Sequence, residues 1–140
     1  MRQRIWQTSV LGIILLSVLY AQAAKSVWDG VYTAQQATRG AALYAEDCAS
    51  CHADDLLGSG PMPALTGKDF RKEWEGQTLG DLFERMSTSM PADRPGKLSQ
   101  QVDADILAFI LKSNDFPAGP SELNPSIPEL HQIRFVSAKP

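Results

Sequence analysis

The residue types able to do chemistry crowd into one pentapeptide, Cys48-Ala49-Ser50-Cys51-His52. Two thiols three positions apart on one helical turn can each add across a vinyl group on the same edge of a porphyrin, forming two thioethers. The adjacent histidine is then held beneath the iron, where its Nε2 can serve as an axial ligand. The C-x-x-C-H spacing therefore reads as the attachment site of one covalently bound haem c. Cys48 and Cys51 are the only cysteines of the chain, and rival chemistries of such a pair fit poorly. A thioredoxin-like dithiol expects a βαβ pattern around it, which is missing here. A structural zinc ion wants four ligands, and His131, the only other histidine, lies far away in the tail. A plain disulfide leaves His52 without a purpose.

One proximal histidine leaves the other face of the iron to be filled. Met62, Met86, Met90 and His131 are the residues to weigh. His131 sits among prolines and reads as a solvated surface residue. Met62 follows His52 too closely to cross the ring with ease. Met86 falls on an apolar helical stripe with Leu82 and Phe83, which argues for packing. Met90 follows the end of that helix, with Pro91 behind it holding the backbone extended, and enough chain to wrap the distal face. The metal ligands predicted from position and residue type are thus His52 and Met90. A thioether ligand favours reduced iron and raises the potential.

Helices must position these groups. Thr33 caps a helix predicted over Ala34–Asp47, which runs straight into the pentapeptide. Gly40 inside it costs about 1 kcal/mol relative to alanine and implies close approach of another helix. Gly58-Ser59-Gly60-Pro61-Met62-Pro63 is a loop by composition. A short helix with Phe70 and Trp74 on one face ends at Gly76. Thr78 and Asp81 form a capping box for a helix predicted to end near Ser87, with Leu79, Leu82, Phe83 and Met86 as its apolar stripe. Ser99 caps the last strong helix, Gln100–Ser113. Val102, Ile106, Phe109 and Ile110 make its buried stripe, and Asp103 and Asp105 suit its dipole. Pro128 starts one short turn of helix over Pro128–Ile133.

The domain plan follows. Residues 1–23 read as a signal peptide: Arg2 and Arg4, a short apolar run, then Ala21-Gln22-Ala23 as a small-residue cleavage site. Residues 24–33 are an N-terminal lead-in, 34–117 the haem domain and 118–140 a proline-rich tail. Export agrees with the haem reading, because thioethers to haem are normally made outside the cytoplasmic membrane. The expected location is therefore periplasmic or otherwise exported, with a membrane attachment only if the leader stays uncleaved. Loss of Arg2 and Arg4 moves the net charge from −3 to −5. An acidic chain is a poor nucleic-acid binder.

Taken together, the helix into Cys48–His52, then Pro63-Ala64-Leu65, Met90-Pro91 and the final apolar helix resemble the class I single-haem cytochrome c family over about residues 34–115. That resemblance implies an all-α cytochrome c fold of three to five helices around one haem. It implies that Pro63 offers its carbonyl to the free ring nitrogen of His52, fixing its tautomer. It also implies that Gly40 and Tyr44 meet Phe109 where the first and last helices cross. Ser26–Tyr32 and Asp69–Trp74 further resemble exported bacterial cytochromes that accompany quinoprotein dehydrogenases.

The function expected is one-electron transfer from a periplasmic donor, such as a dehydrogenase, to an oxidase or another cytochrome, and not catalysis by the chain itself. The cofactor contacts expected are Cys48, Cys51, His52, Pro63 and Met90. The alternatives are a haem subunit of a dehydrogenase complex, or a peroxidase or ligand-binding sensor whose distal ligand is labile. A peroxidase needs an acid–base group at an open distal face, and only His131 is available for it. No serine–histidine pair, metal cluster or phosphate loop is legible elsewhere.

Overall fold

The computed structural model describes residues 24–140. The predicted leader, residues 1–23, lies outside the described residues. Among the described residues there are six helices and one pair of two-residue strands. The helices longer than one turn are α1 (Ala34–Asp47), α3 (Gly67–Trp74), α4 (Leu79–Ser89) and α5 (Gln100–Ser113); α2 (Ala49–His52) and α6 (Ile127–Leu130) are single turns. The all-α cytochrome c architecture is therefore the one observed. The expected three to five helices correspond to the four longer ones, with two short turns added.

Local signals explain the helix limits. The Thr33 hydroxyl accepts from the Gln36 amide at α1, and Ser99 accepts from Val102 at α5. Thr78 and Asp81 cap α4 reciprocally, Thr78 accepting from the Asp81 amide while the Asp81 carboxylate accepts from the Thr78 amide. Each such cap satisfies amides that would otherwise lack a partner. Helix α4 extends to Ser89, two residues beyond the expected end. Met90 then leaves it in an extended conformation (φ −119°, ψ 155°), because Pro91 disfavours a helical residue before it.

Helices α1 and α5 cross at Gly40. A Cβ there would sit 1.8 Å from the Asp105 carbonyl oxygen and 3.0 Å from Phe109 Cβ, so only glycine lets the backbones meet. Tyr44 and Phe109 pack one turn along, ring centroids 5.3 Å apart. Ile106, Leu107, Ile110 and Leu111 are buried behind this contact, each contributing roughly 1.5–3 kcal/mol through burial.

The C-terminal segment is more than a solvated tail. The short turn predicted over Pro128–Ile133 is helical only over Ile127–Leu130, and the chain then becomes a strand, β2 (Ile133–Arg134). This strand pairs in parallel with β1 (Lys25–Ser26), Lys25 opposite Ile133 and Ser26 opposite Arg134. Phe135 is fully buried and stacks edge-on against Phe116 (5.3 Å) and Phe70 (6.1 Å). Gln36, buried in α1, exchanges two hydrogen bonds with the Leu123 backbone, at 3.0 and 2.6 Å. Trp28 donates from Nε1 to the Val136 carbonyl at 2.8 Å. The lead-in and the tail thus form one strap around the helices.

Candidate haem site

Cys48 ends α1 and His52 ends α2, so one turn of helix presents both cysteines and the histidine together. The turn is fixed by hydrogen bonds that the Cys51 (3.1 Å) and His52 (2.9 Å) amides donate to the Cys48 carbonyl. No disulfide joins the cysteines: Cys48 is partly buried and Cys51 exposed.

His52 is only 7% exposed. Its Nδ1 lies 2.9 Å from the Pro63 carbonyl oxygen. A carbonyl can only accept, so the proton must sit on Nδ1, leaving the Nε2 lone pair free for a metal. The loop that brings Pro63 there is tightly specified. Gly58 donates to the His52 carbonyl at 3.0 Å, Leu65 donates to Leu56 at 2.8 Å, and the Tyr44 hydroxyl donates to the Ala53 carbonyl at 2.7 Å. Gly58 adopts φ +79°, and a Cβ there would lie 2.3 Å from the Met62 carbonyl oxygen; glycine satisfies both demands.

A cleft of about 450 Å³ opens beside this turn, within the size range of cofactor sites. Cys48, Cys51, His52 and Pro63 line one side, and Met86, Met90 and the segment to Arg94 line another. Leu65, Phe70, Trp74, Leu82, Ile106 and Ile110 provide apolar walls. All five predicted cofactor contacts therefore border one cleft. Met62 borders it too, beside the loop that carries Pro63, and Met86 lies partly buried on the packed face of α4. Met62 and Met90 have similar exposure, 38% and 36%. Two thiols, an imidazole and a thioether around an apolar slot are a donor set that fits a covalently held haem.

The burial of two acidic groups on α5 was not legible. Asp103 and Asp105, expected in the early turns of α5 where they suit its dipole, are 2% and 5% exposed. Asp105 is compensated by Arg39, which donates from Nε at 3.0 Å and from Nη2 at 3.1 Å, and by Gln101. Asp103 is not compensated: among the described residues its Oδ1 is the one buried side-chain polar atom without a partner. Burial, reinforced by Asp47, pushes its carboxyl up to about 6. Burial, then Asp47 and Asp103, pushes the Cys48 thiol up to about 11.

His131 does not border the cleft, and it is not the solvated residue expected. Its ring packs over Gly80, where a Cβ would lie 2.5 Å from the imidazole. It joins Asp81 and Glu84 in a cluster whose ligand atoms lie within 4.8 Å of one another. The sequence hid this grouping because helix α5 and most of the tail separate His131 from Asp81 and Glu84.

Comparison with known proteins agrees with the geometry. The family described as cytochrome c oxidase, cbb3-type, subunit III matches residues 35–110. Among solved structures, the crystal structure of the sulfane dehydrogenase SoxCD from Paracoccus pantotrophus resembles this chain with a TM-score of 0.51 and 23% identity. That match covers 77% of this chain and 61% of the other, and the likeness is one of fold. No curated protein sequence matches. With the attachment turn, the apolar cleft and more than half of the chain inside the family match, this chain belongs to the c-type cytochromes described as cytochrome c oxidase, cbb3-type, subunit III, and its cofactor is covalently bound haem c.

Proposed function

We propose that this cytochrome is an exported one-electron carrier that keeps both axial positions of its iron filled. Cys48 and Cys51 would hold the haem, His52 and Met90 would ligate its iron, and Pro63 orients His52. When bound, the haem would supply one-electron redox chemistry. The chain's residues hold and shield it. The observation that carries this reading is the convergence of Cys48, Cys51, His52 and Met90 on one apolar cleft, with the His52 tautomer set by Pro63. Apolar walls exclude water, and a thioether opposite an imidazole raises the potential.

The donor we propose is a periplasmic dehydrogenase, and the acceptor an oxidase or another cytochrome. The leader-like residues 1–23 support export. The fold likeness to a chain of a sulfane dehydrogenase favours one specific second reading, a haem subunit held within a dehydrogenase complex. Both readings use the same site, and they differ in whether the protein purifies alone.

The test uses holoprotein. Acid–acetone extraction should leave the haem on the chain, and carbon monoxide should leave the spectrum of the reduced protein unchanged. Extracted haem would refute attachment through Cys48 and Cys51. Rapid carbon monoxide binding at neutral pH would replace the carrier with a sensor or peroxidase.

A further inference from the structure

The segment from Met90 to Leu98 borders the cleft over Met90–Arg94 yet is lightly held. Pro91 is buried, Leu98 is partly buried, and the residues between them are exposed. Its backbone bonds are local: Met90 to Met86 (2.9 Å), Arg94 to Pro91 (3.0 Å) and Lys97 to Arg94 (3.3 Å). Among the described residues, one side-chain hydrogen bond ties this segment to the rest of the protein. The Arg94 Nη2 donates to Asp47 Oδ1.

Asp47 is placed to matter. It is the last residue of α1, directly before Cys48. Its side chain is 13% exposed and that of Arg94 43%. Both residues border the cleft. The bond therefore joins the attachment turn to the distal segment, 47 residues away in sequence. The buried Asp103 carboxyl, which has no partner for Oδ1, lies close enough to Asp47 to feel its charge. Without a cation there, two acids would stand together beside Cys48. Arg94 thus neutralises Asp47 as well as holding the segment.

We infer that the Asp47–Arg94 ion pair is a latch that keeps the Met90 segment closed over the distal face, making Asp47 and Arg94 positioning residues for the axial thioether. The inference rests on the proposed Met90 ligation. An exogenous ligand must displace Met90, and the latch resists the loop opening that displacement requires.

The experiment titrates ferric holoprotein with imidazole, following the near-infrared methionine-to-iron band. Arg94→Gln and Asp47→Asn should each raise imidazole affinity by about two- to fivefold, the range for a partly exposed ion pair. The double variant should gain little more than either single one, and Arg94→Lys should recover part of the parent value. Added salt should raise the affinity of the parent and leave Arg94→Gln almost unmoved. A merely structural role would change the unfolding midpoint and leave these titrations alike. Parent-like imidazole affinity in Arg94→Gln, with the band present in the parent and lost in Met90→Ala, would overturn the latch while Met90 ligation stands. A parent without the band, or a band that survives Met90→Ala, would overturn the ligand assignment and the latch with it.

Discussion

The two sides of the cleft are built to different standards. The attachment side has a helix crossing beneath it, a histidine fixed by a carbonyl, and a loop held by three hydrogen bonds around Ala53, Gly58 and Leu65. The distal side has one capped helix, a buried proline and, for the segment after Met90, one side-chain tie to the rest of the protein, the Arg94–Asp47 ion pair. The difference teaches where opening should begin. Few long-range ties and exposed backbone mark the distal segment as the part with the lower local stability.

The largest expected effect tests the rigid side. Gly40→Ala places a Cβ 1.8 Å from the Asp105 carbonyl oxygen, so α1 and α5 must separate. Alanine's better helix propensity is worth about 1 kcal/mol, and the overpacking should outweigh it, for a net loss of roughly 2 kcal/mol or more. Gly40→Leu should fail to accumulate as holoprotein. Chemical unfolding measures the first and haem-stained yield the second. An unchanged midpoint for Gly40→Ala would reverse the ranking of the two sides.

The soft side should yield in ligation rather than in fold. Met90→Ala should abolish the methionine-to-iron band, lower the midpoint potential and admit carbon monoxide, with a stability loss smaller than that of Gly40→Ala. Met62→Ala and Met86→Ala should keep the band. Its loss in Met62→Ala with survival in Met90→Ala would move the axial ligand to the Pro63 loop, and the contrast between the sides would lose its chemical meaning.

Next comes Asp103, buried in α5. Its carboxyl is raised from 3.8 to about 6 by burial and by Asp47. The folded chain then holds a proton that the unfolded chain releases, so stability falls as pH rises from about 4 through about 6. Asp103→Asn, which cannot ionise, should remove that slope. Unfolding midpoints of parent and variant should differ least below about pH 4, diverge between about pH 4 and pH 6 and keep a constant gap above that, the variant being the more stable. A constant difference across the range would show that Asp103 ionises freely.

How much of this was legible depends on the reach of each signal. The limits of α1 and α5, the capping box at Thr78 and the attachment turn are set by residues within a few positions of one another, and all were readable. Gly40 announced a helix crossing because glycine inside a helix has a cost that needs a reason. The Pro63 partner of His52 was legible only through the family resemblance. The latch, the burial of Asp103 and the packing of the tail depend on pairings between distant segments: Arg94 with Asp47, Arg39 with Asp105, Gln36 with Leu123. No local periodicity encodes them. The tail misleads most, since its prolines read as loop while Leu123, Leu130, Ile133 and Phe135 are all buried.

The smallest effect concerns where that tail grips α4, the helix whose far end carries Met90. The Thr78 hydroxyl donates to Asp81 Oδ2 at 2.6 Å, so toward His131 it can only accept. His131 Nδ1 is therefore the donor in their 2.9 Å contact, and Nε2 faces Glu84 Oε2 at 3.4 Å. The His131 side chain is 35% exposed, which limits the contact to about 0.5–1 kcal/mol. His131→Ala should lower the unfolding midpoint by that amount. Gly80→Ala should also destabilise, because its Cβ would meet the imidazole at 2.5 Å. In the His131→Ala background that obstacle is gone, and Gly80→Ala should turn stabilising, by up to about 1 kcal/mol of helix propensity. A thermal-unfolding double-mutant cycle reads this reversal of sign. Through all four proteins the methionine-to-iron band should stay fixed, since the grip acts on the first turn of α4 and Met90 follows the last. A band that moves with His131→Ala would mean that the tail, as well as Arg94, sets the distal side.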